Sequence, residues 1–114
     1  MSGPLAGVRV LDLTGVVSGP FATMFLADQG ADVLKVEPIG GDITRRSRAN
    51  VDKTGEFSAL FISSNRGKRS LSIDMKTDAG RDVLGKLVQQ SDVLVQNFRP
   101  GTMERLGLGP DEVR

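Results

Sequence analysis

Four cations stand close together in the segment NRGKRSLSIDMK, residues 65–76: Arg66, Lys68 and Arg69 ahead of a short apolar stretch, and Lys76 behind it. Such a group serves one of three ends: a solvated charged surface, a patch for nucleic acid, or fixed counter-charges for a phosphorylated small molecule. Arg45, Arg46 and Arg48 form a second basic group, and Asn97-Phe98-Arg99 a third polar cluster. The stretch Thr14-Gly15-Val16-Val17-Ser18-Gly19-Pro20 leads into a helix start, where backbone N–H groups favour an anion. Taken singly, each feature has a plainer reading. The charges suit a solvated face, 14–20 a strand-to-helix turn, and 97–99 a turn around a packed Phe.

Absent residue types narrow the chemistry. The sequence has no Cys and no His, which excludes disulfides, Cys/His zinc sites, Cys nucleophiles and Ser-His-Asp triads within this chain. Acid–base or covalent work falls to carboxylates, Lys or hydroxyls, or to another chain, and no metal site is expected. Lys plus Arg number 15 against 14 Asp plus Glu, a formal charge of +1, well short of the surplus a nucleic-acid-binding domain carries. Five Phe, with no Trp or Tyr, supply few platforms for base stacking. No apolar run approaches the roughly 20 residues that span a bilayer, and MSGPLAGVRV lacks the charged-then-apolar order of a signal peptide. A cytoplasmic domain without nucleic-acid or membrane partners is expected, and 114 residues fit one such domain.

Positioning these residues falls to alternating strands and helices. Val8 to Leu13, bounded by Gly7 and Gly15, reads as a buried strand. In SGPFATMFLADQG, residues 18–30, Ser18 or Gly19 suits the cap, Pro20 the first turn, and Gly30 the left-handed residue that stops a helix. Phe21, Met24, Phe25 and Leu26 leave it little polar face, which predicts burial against a sheet. Asp32 to Glu37 is a second strand, completing a βαβ unit with parallel strands. Residues 38–55 are polar and unpatterned; Phe57, Leu60 and Phe61 mark a short helix, and Leu71 and Ile73 a third strand. Thr77 suits the cap of a helix whose Val83, Leu84, Leu87 and Val88 share one stripe; its Gly80 and Gly85 each weaken it by about 1 kcal/mol. Asp92 to Val95 is the fourth strand, Thr102 to Leu106 a helical turn, and LGLGPDEVR opens a helix that reads as cut short. The pattern predicts an α/β fold, an open parallel sheet with flanking helices. Ligands in such sheets settle at the carboxyl ends of the strands. The two best-known phosphate fingerprints are missing: there is no G-x-G-x-x-G, and at 62–69 Ile62 replaces the first P-loop Gly while Arg69 replaces Ser/Thr.

Several segments occur together in a recognisable order: GPLAGVRVLDLTGVVSGPFATMFLADQGADVLKVE, GD-x-x-R at 41–45, NRGKRSLSIDMK, and SDVLVQNFRPGTMERLGLGP. With them the chain resembles the amino-terminal part of the family III CoA-transferases, the group of formyl-CoA transferase and carnitine CoA-transferase, with α-methylacyl-CoA racemases as relatives. The resemblance implies a Rossmann-like domain, of which residues 1–114 are the amino-terminal part, in a homodimer of interlocked chains. It implies transfer of CoA between an acyl-CoA and a free carboxylic acid through an aspartyl intermediate, without a tightly bound cofactor. The alternatives are a 2-methylacyl-CoA racemase or a non-catalytic CoA-binding module. CoA contacts carry over to Val17, Ser18, Ile73, Asp74, Met75, Lys76, Asn97, Phe98, Arg99 and Arg105. Where formyl-CoA transferase has a Gln, Val17 leaves only backbone contacts; where it has a basic residue, Pro38 stands, with Arg45 or Arg46 as candidate substitutes. The nucleophilic Asp corresponds to none of Asp12, Asp28, Asp32, Asp42, Asp74, Asp78, Asp82, Asp92 or Asp111. Lys76 is expected to face CoA, and Arg66, Lys68 and Arg69 to act as support or interface charges.

Overall fold

The computed structural model describes residues 3–46 and 58–114. Four parallel strands, β1 (Arg9–Asp12), β2 (Asp32–Glu37), β3 (Arg69–Ser72) and β4 (Val93–Val95), form one sheet in the order β3-β2-β1-β4. The chain steps outward from β1 to β2 to β3, then returns past β1 to place β4 on its other side. That reversal opens a crevice between the carboxyl ends of β1 and β4, the usual ligand position in such a sheet.

Side-chain alternation sorts the two faces. Val10 and Val33 pack with Ala27 and Leu26 of α1 (Ser18–Asp28), whereas Leu11, Leu13 and Val36 pack with Leu84, Leu87 and Val88 of α3 (Asp78–Gln89). Two helices thus cover opposite faces of the sheet, which realises the flanking helices the sequence pattern predicts. Between them in sequence lies α2 (Ala59–Ser64), capped by the Ser58 hydroxyl, which accepts from Phe61 N–H. Phe57 and residues 47–55 lie outside the described residues. Two short helices, α4 (Thr102–Arg105) and α5 (Pro110–Val113), follow β4.

Some local expectations hold and others change. Thr77 caps α3 by accepting from Gly80 N–H at 3.0 Å, and Gly30 has φ 101°. For α1, Val17 occupies the cap position and no side chain caps the helix; Ser18 is its first residue. Nor is α1 buried all round: Phe21 and Phe25 form an exposed edge-to-face pair with centroids 5.1 Å apart. Gly80 is no simple defect. A Cβ there would lie 1.9 Å from the Asp74 carbonyl oxygen, so this glycine lets α3 close against the turn carrying Asp74, Met75 and Lys76. At Gly85 a Cβ would meet nothing within 4 Å. Among the described residues no helix is long and apolar enough to cross a membrane.

Candidate functional site

A row of polar groups, buried except at the edge-strand residue Ser70, lies beneath the α1 face of the sheet. Register sets Asp12, Lys35 and Ser70 side by side on β1, β2 and β3, on the face opposite Leu11 and Val36, and Glu37 follows two residues after Lys35. Asp12 is fully buried. Its carboxylate accepts from Thr14 N–H at 2.9 Å, the Thr23 hydroxyl at 2.7 Å, the Thr14 hydroxyl, and Lys68 Nζ at 2.8 Å. Lys68 donates also to Pro20 O at 2.9 Å and Asn65 Oδ1 at 2.8 Å, so its three N–H bonds are all used. Lys35 pairs with Asp42 at 2.9 Å and donates to Thr14 O at 3.0 Å. Arg45 binds Glu37 in a fork, 2.7 and 2.8 Å, and lies over the Phe61 ring at 4.0 Å. Three buried or half-buried cations therefore face three buried carboxylates, which satisfies the rule that buried charge must be paired.

The acid–base state follows from these contacts. Burial alone pushes the Glu37 carboxyl up, but Arg45, the Ser70 hydroxyl and Asp42 N–H outweigh it and hold it at about 2. Burial likewise opposes charge on Asp42, while Thr44 N–H and Lys35 bring its pKa below the usual value. Burial lowers the Lys68 pKa, and Asp12 offsets part of that. These charges hold the β1–α1 turn from below, through Thr14 and Pro20.

The same turn is held from the side by β4. Gly15 N–H donates to Asn97 Oδ1 at 3.1 Å, and Asn97 Nδ2 donates back to Gly15 O at 2.9 Å. The two loops flanking the crevice are thereby tied together. Between these anchors Val16 has φ 70°, a left-handed conformation that a β-branched residue adopts only under constraint. Gly19 packs on Thr14 so closely that a Cβ would lie 2.4 Å from the Thr14 Cβ. Beside the turn opens a cleft of about 280 Å³, walled mainly by Leu13, Val16, Val36, Ile43, Met75 and Phe98. An apolar cleft at the carboxyl ends of parallel strands, beside a helix start that no side chain caps, suits a ligand with both apolar and anionic parts.

The family model for CoA-transferase family III matches residues 5–114. This chain belongs to CoA-transferase family III. It is 48% identical over 114 residues to a succinyl-CoA:mesaconate CoA-transferase of Haloarcula hispanica, covering 98% of this chain and 29% of that protein. It is 45% identical over 117 residues to a formyl-CoA:oxalate CoA-transferase of Streptomyces avermitilis, covering 100% of this chain and 27% of the relative. The crystal structure of a CAIB/BAIF family protein from Brucella suis superposes with a TM-score of 0.92 at 38% identity, covering 99% of this chain and 30% of that one. The chain spans under a third of the length of these relatives.

Within this family III chain, the residues expected at the ligand divide by position. Met75 and Phe98 line the cleft. Val17 and Ser18 are exposed at the head of α1, beside the tied Gly15. Ile73 is 7% exposed within the core, which leaves its backbone rather than its side chain for contact. Asp74 accepts from Lys76 N–H at 3.0 Å and so shapes the turn that presents Lys76. Lys76 and Arg99 are exposed and make no ion pair among the described residues. Arg99 opens onto a neighbouring cavity of about 400 Å³ between β4, α4 and α5, and Arg105 on α4 donates to Thr102 Oγ1 at 3.2 Å. Of the two candidate substitutes for a basic residue at Pro38, Arg45 is paired with Glu37 and Arg46 donates to Gly40 O.

The first basic cluster divides too. Arg66 pairs with Asp28 at 2.7 Å and Arg69 with Asp32 at 2.9 Å, both at the surface, whereas Lys68 is buried. Residue pattern alone passes over the Asp12–Lys35–Glu37 row, although a signal for it exists. In a strand covered on both faces, a charge at every second position has to face an interior partner.

Proposed function

We propose that this chain builds part of the coenzyme A seat of an enzyme that transfers CoA between an acyl-CoA and a free carboxylic acid. The observation that carries the reading is the anchored β1–α1 turn, set beside an apolar cleft lined by Met75, whose sequence neighbour Lys76 is an exposed cation. CoA presents a pyrophosphate and a 3′-phosphate at one end and a long, largely apolar arm at the other. Phosphates take fixed cations and N–H donors, and the arm takes an apolar wall. In this assignment the backbone at Val17 and Ser18 faces phosphate, and Met75 and Phe98 form the wall. Lys76, Arg99 and Arg105 supply positive charge, with Asp74, Ile73 and Asn97 shaping the loops between.

The chemistry itself belongs to an aspartate supplied by the rest of the full-length enzyme. Its carboxylate attacks the thioester carbonyl, the CoA thiolate leaves, and a mixed anhydride forms. The thiolate then attacks the aspartyl carbonyl and releases the donor acid, leaving an aspartyl-CoA thioester to pass CoA to the second acid. Splitting the exchange this way replaces one hard step by easier ones. In this chain Asp12 and Asp42, buried against Lys68 and Lys35, are structural anions. The exposed apolar pair on α1 supports a homodimer, in which that face finds cover.

Calorimetric titration with CoA, 3′-dephospho-CoA and pantetheine tests the seat. CoA is expected to bind most tightly, and Lys76→Ala to weaken CoA more than pantetheine, with the difference shrinking at high salt. No heat with CoA, or equal affinity for pantetheine, refutes the assignment. For the reaction, the full-length enzyme incubated with acyl-CoA and hydroxylamine is expected to yield an aspartyl hydroxamate. Racemisation of a 2-methylacyl-CoA with no hydroxamate would place the enzyme with the racemases instead.

A further inference from the structure

Asn97 is an exposed residue on the loop after β4, and its side chain is turned inward onto the backbone of a single residue, Gly15. Its carbonyl oxygen accepts from Gly15 N–H, its amide donates to Gly15 O, and the sequence separation is 82 residues. This two-point contact continues the β1–β4 pairing past its last register position, Asp12 with Val95, and past the Leu13 N–H that donates to Val95 O at 2.9 Å. The very next residue is Val16 at φ 70°, and it is the only non-glycine residue with positive φ among the described ones. Val16 is 55% exposed, so core packing does not force it into that shape. The constraint has to come through the backbone on either side. On one side stands the Asn97 clasp, and on the other the Val17 carbonyl bound by Phe21 N–H at 2.9 Å at the start of α1.

We infer that Asn97 is a positioning residue: its side chain clasps the backbone N–H and carbonyl of Gly15 to hold Val16 in the left-handed conformation, which fixes the head of α1 in its ligand-receiving shape. The inference rests on the coenzyme A reading above and assigns Asn97 a role other than direct side-chain contact with the ligand. A Val released from the clasp relaxes toward negative φ, because its branched Cβ crowds the neighbouring carbonyl in the left-handed region. Rotation there swings the Val17–Ser18 backbone away from the cleft. Glycine holds positive φ without that penalty, so a glycine at 16 makes the clasp largely dispensable.

The test is a cycle of Asn97→Ala, Val16→Gly and the double variant, with CoA affinity read by calorimetry and folding by circular dichroism. Asn97→Ala is expected to weaken CoA about tenfold, equivalent to about 1.4 kcal/mol. Val16→Gly in that background is expected to recover about threefold or more of the loss. A direct Asn97–ligand contact predicts no recovery, since glycine at 16 restores no amide group. No recovery, or no loss with Asn97→Ala, overturns the inference. Failure of the unaltered chain to bind CoA refutes the coenzyme A reading instead, and thermal melting then decides the clasp. Asn97→Ala has to lower the melting temperature less in the Val16→Gly background than alone; equal losses overturn it. Should Asn97→Ala fail to fold, folding of the double variant supports the clasp and failure of both overturns it.

Discussion

Replacing Lys68 by Met tests whether the buried charges organise the site or merely decorate it. Methionine preserves much of the length and apolar stem but removes the ammonium. The Lys68 side chain is 2% exposed and that of Asp12 0%, so the substitution strands a carboxylate that water does not reach. Thr14 N–H and the Thr14 and Thr23 hydroxyls remain as donors to it, but Pro20 O and Asn65 Oδ1 lose the ammonium. Breaking one half of a buried pair costs about 3–5 kcal/mol, set against about 5–15 kcal/mol for a typical whole domain. With a urea dependence of about 2 kcal/mol per molar, the unfolding midpoint falls by about 2 M. Far-UV circular dichroism is the suitable probe, because the chain has neither Trp nor Tyr. Arg69→Ala is the control. Its pair with Asp32 has both side chains about half or more exposed, and such pairs contribute about 0.2–1 kcal/mol. Adding Asp12→Asn to Lys68→Met removes the stranded charge and is expected to regain part of the loss. If Lys68→Met shifts the midpoint no more than Arg69→Ala, the buried-network account fails; if the double variant is worse than Lys68→Met alone, the stranded-charge explanation fails.

Two further outcomes follow from the same geometry. Glu37 titrates at about 2 when folded against 4.5 as an ordinary glutamate. The unfolded chain therefore takes up its proton first on acidification, and stability is lost as pH falls from about 4.5 toward about 2. Asp42 is shifted the same way; Glu37→Gln should flatten the acid limb of a pH–stability curve, and an unchanged limb would discount the Arg45 fork. The glycines of α3 should part company: Gly85→Ala gains up to about 1 kcal/mol in urea melts, whereas Gly80→Ala, whose Cβ meets the Asp74 carbonyl, loses about 1–3 kcal/mol and, under the proposed coenzyme A assignment, also weakens CoA by displacing the turn of Met75 and Lys76. Equal effects at the two positions would contradict the close packing at Gly80.

Much of this fold is legible in residue order because the strands and α3 carry strong local patterns. Val10 and Leu11 on β1, Leu13 just past its end, and Leu84, Leu87 and Val88 on α3 announce their burial by pattern. Thr77 and Gly30 mark helix ends for local steric and hydrogen-bonding reasons. The α1 cap is less legible: Ser18 or Gly19 suits it by residue type, yet the helix begins one residue earlier than that reading, with Ser18 as its first residue and Val17 at an uncapped start. The Asn97 clasp is wholly illegible locally, since 82 residues separate its partners.

The basic run shows most clearly where pattern reading stops. Arg66, Lys68 and Arg69 have nearly the same local surroundings, yet one is buried and two lie at the surface. What separates them is the strand that follows. β3 begins at Arg69 beside Leu34 of β2, so Lys68, one residue earlier, leaves the sheet on the side where Asp12 stands without a cation of its own. Lys35, next to Asp12 in register, is already taken by Asp42. A sheet with an uneven number of charges on one covered face has to recruit the missing one from a loop, and Lys68 is the cation within reach. The same accounting bears on Lys76. It follows β3 on a loop whose neighbouring carboxylate, Asp74, accepts from the Lys76 backbone N–H and makes no ion pair with the Lys76 ammonium, which leaves that ammonium open to the phosphate contact proposed for it.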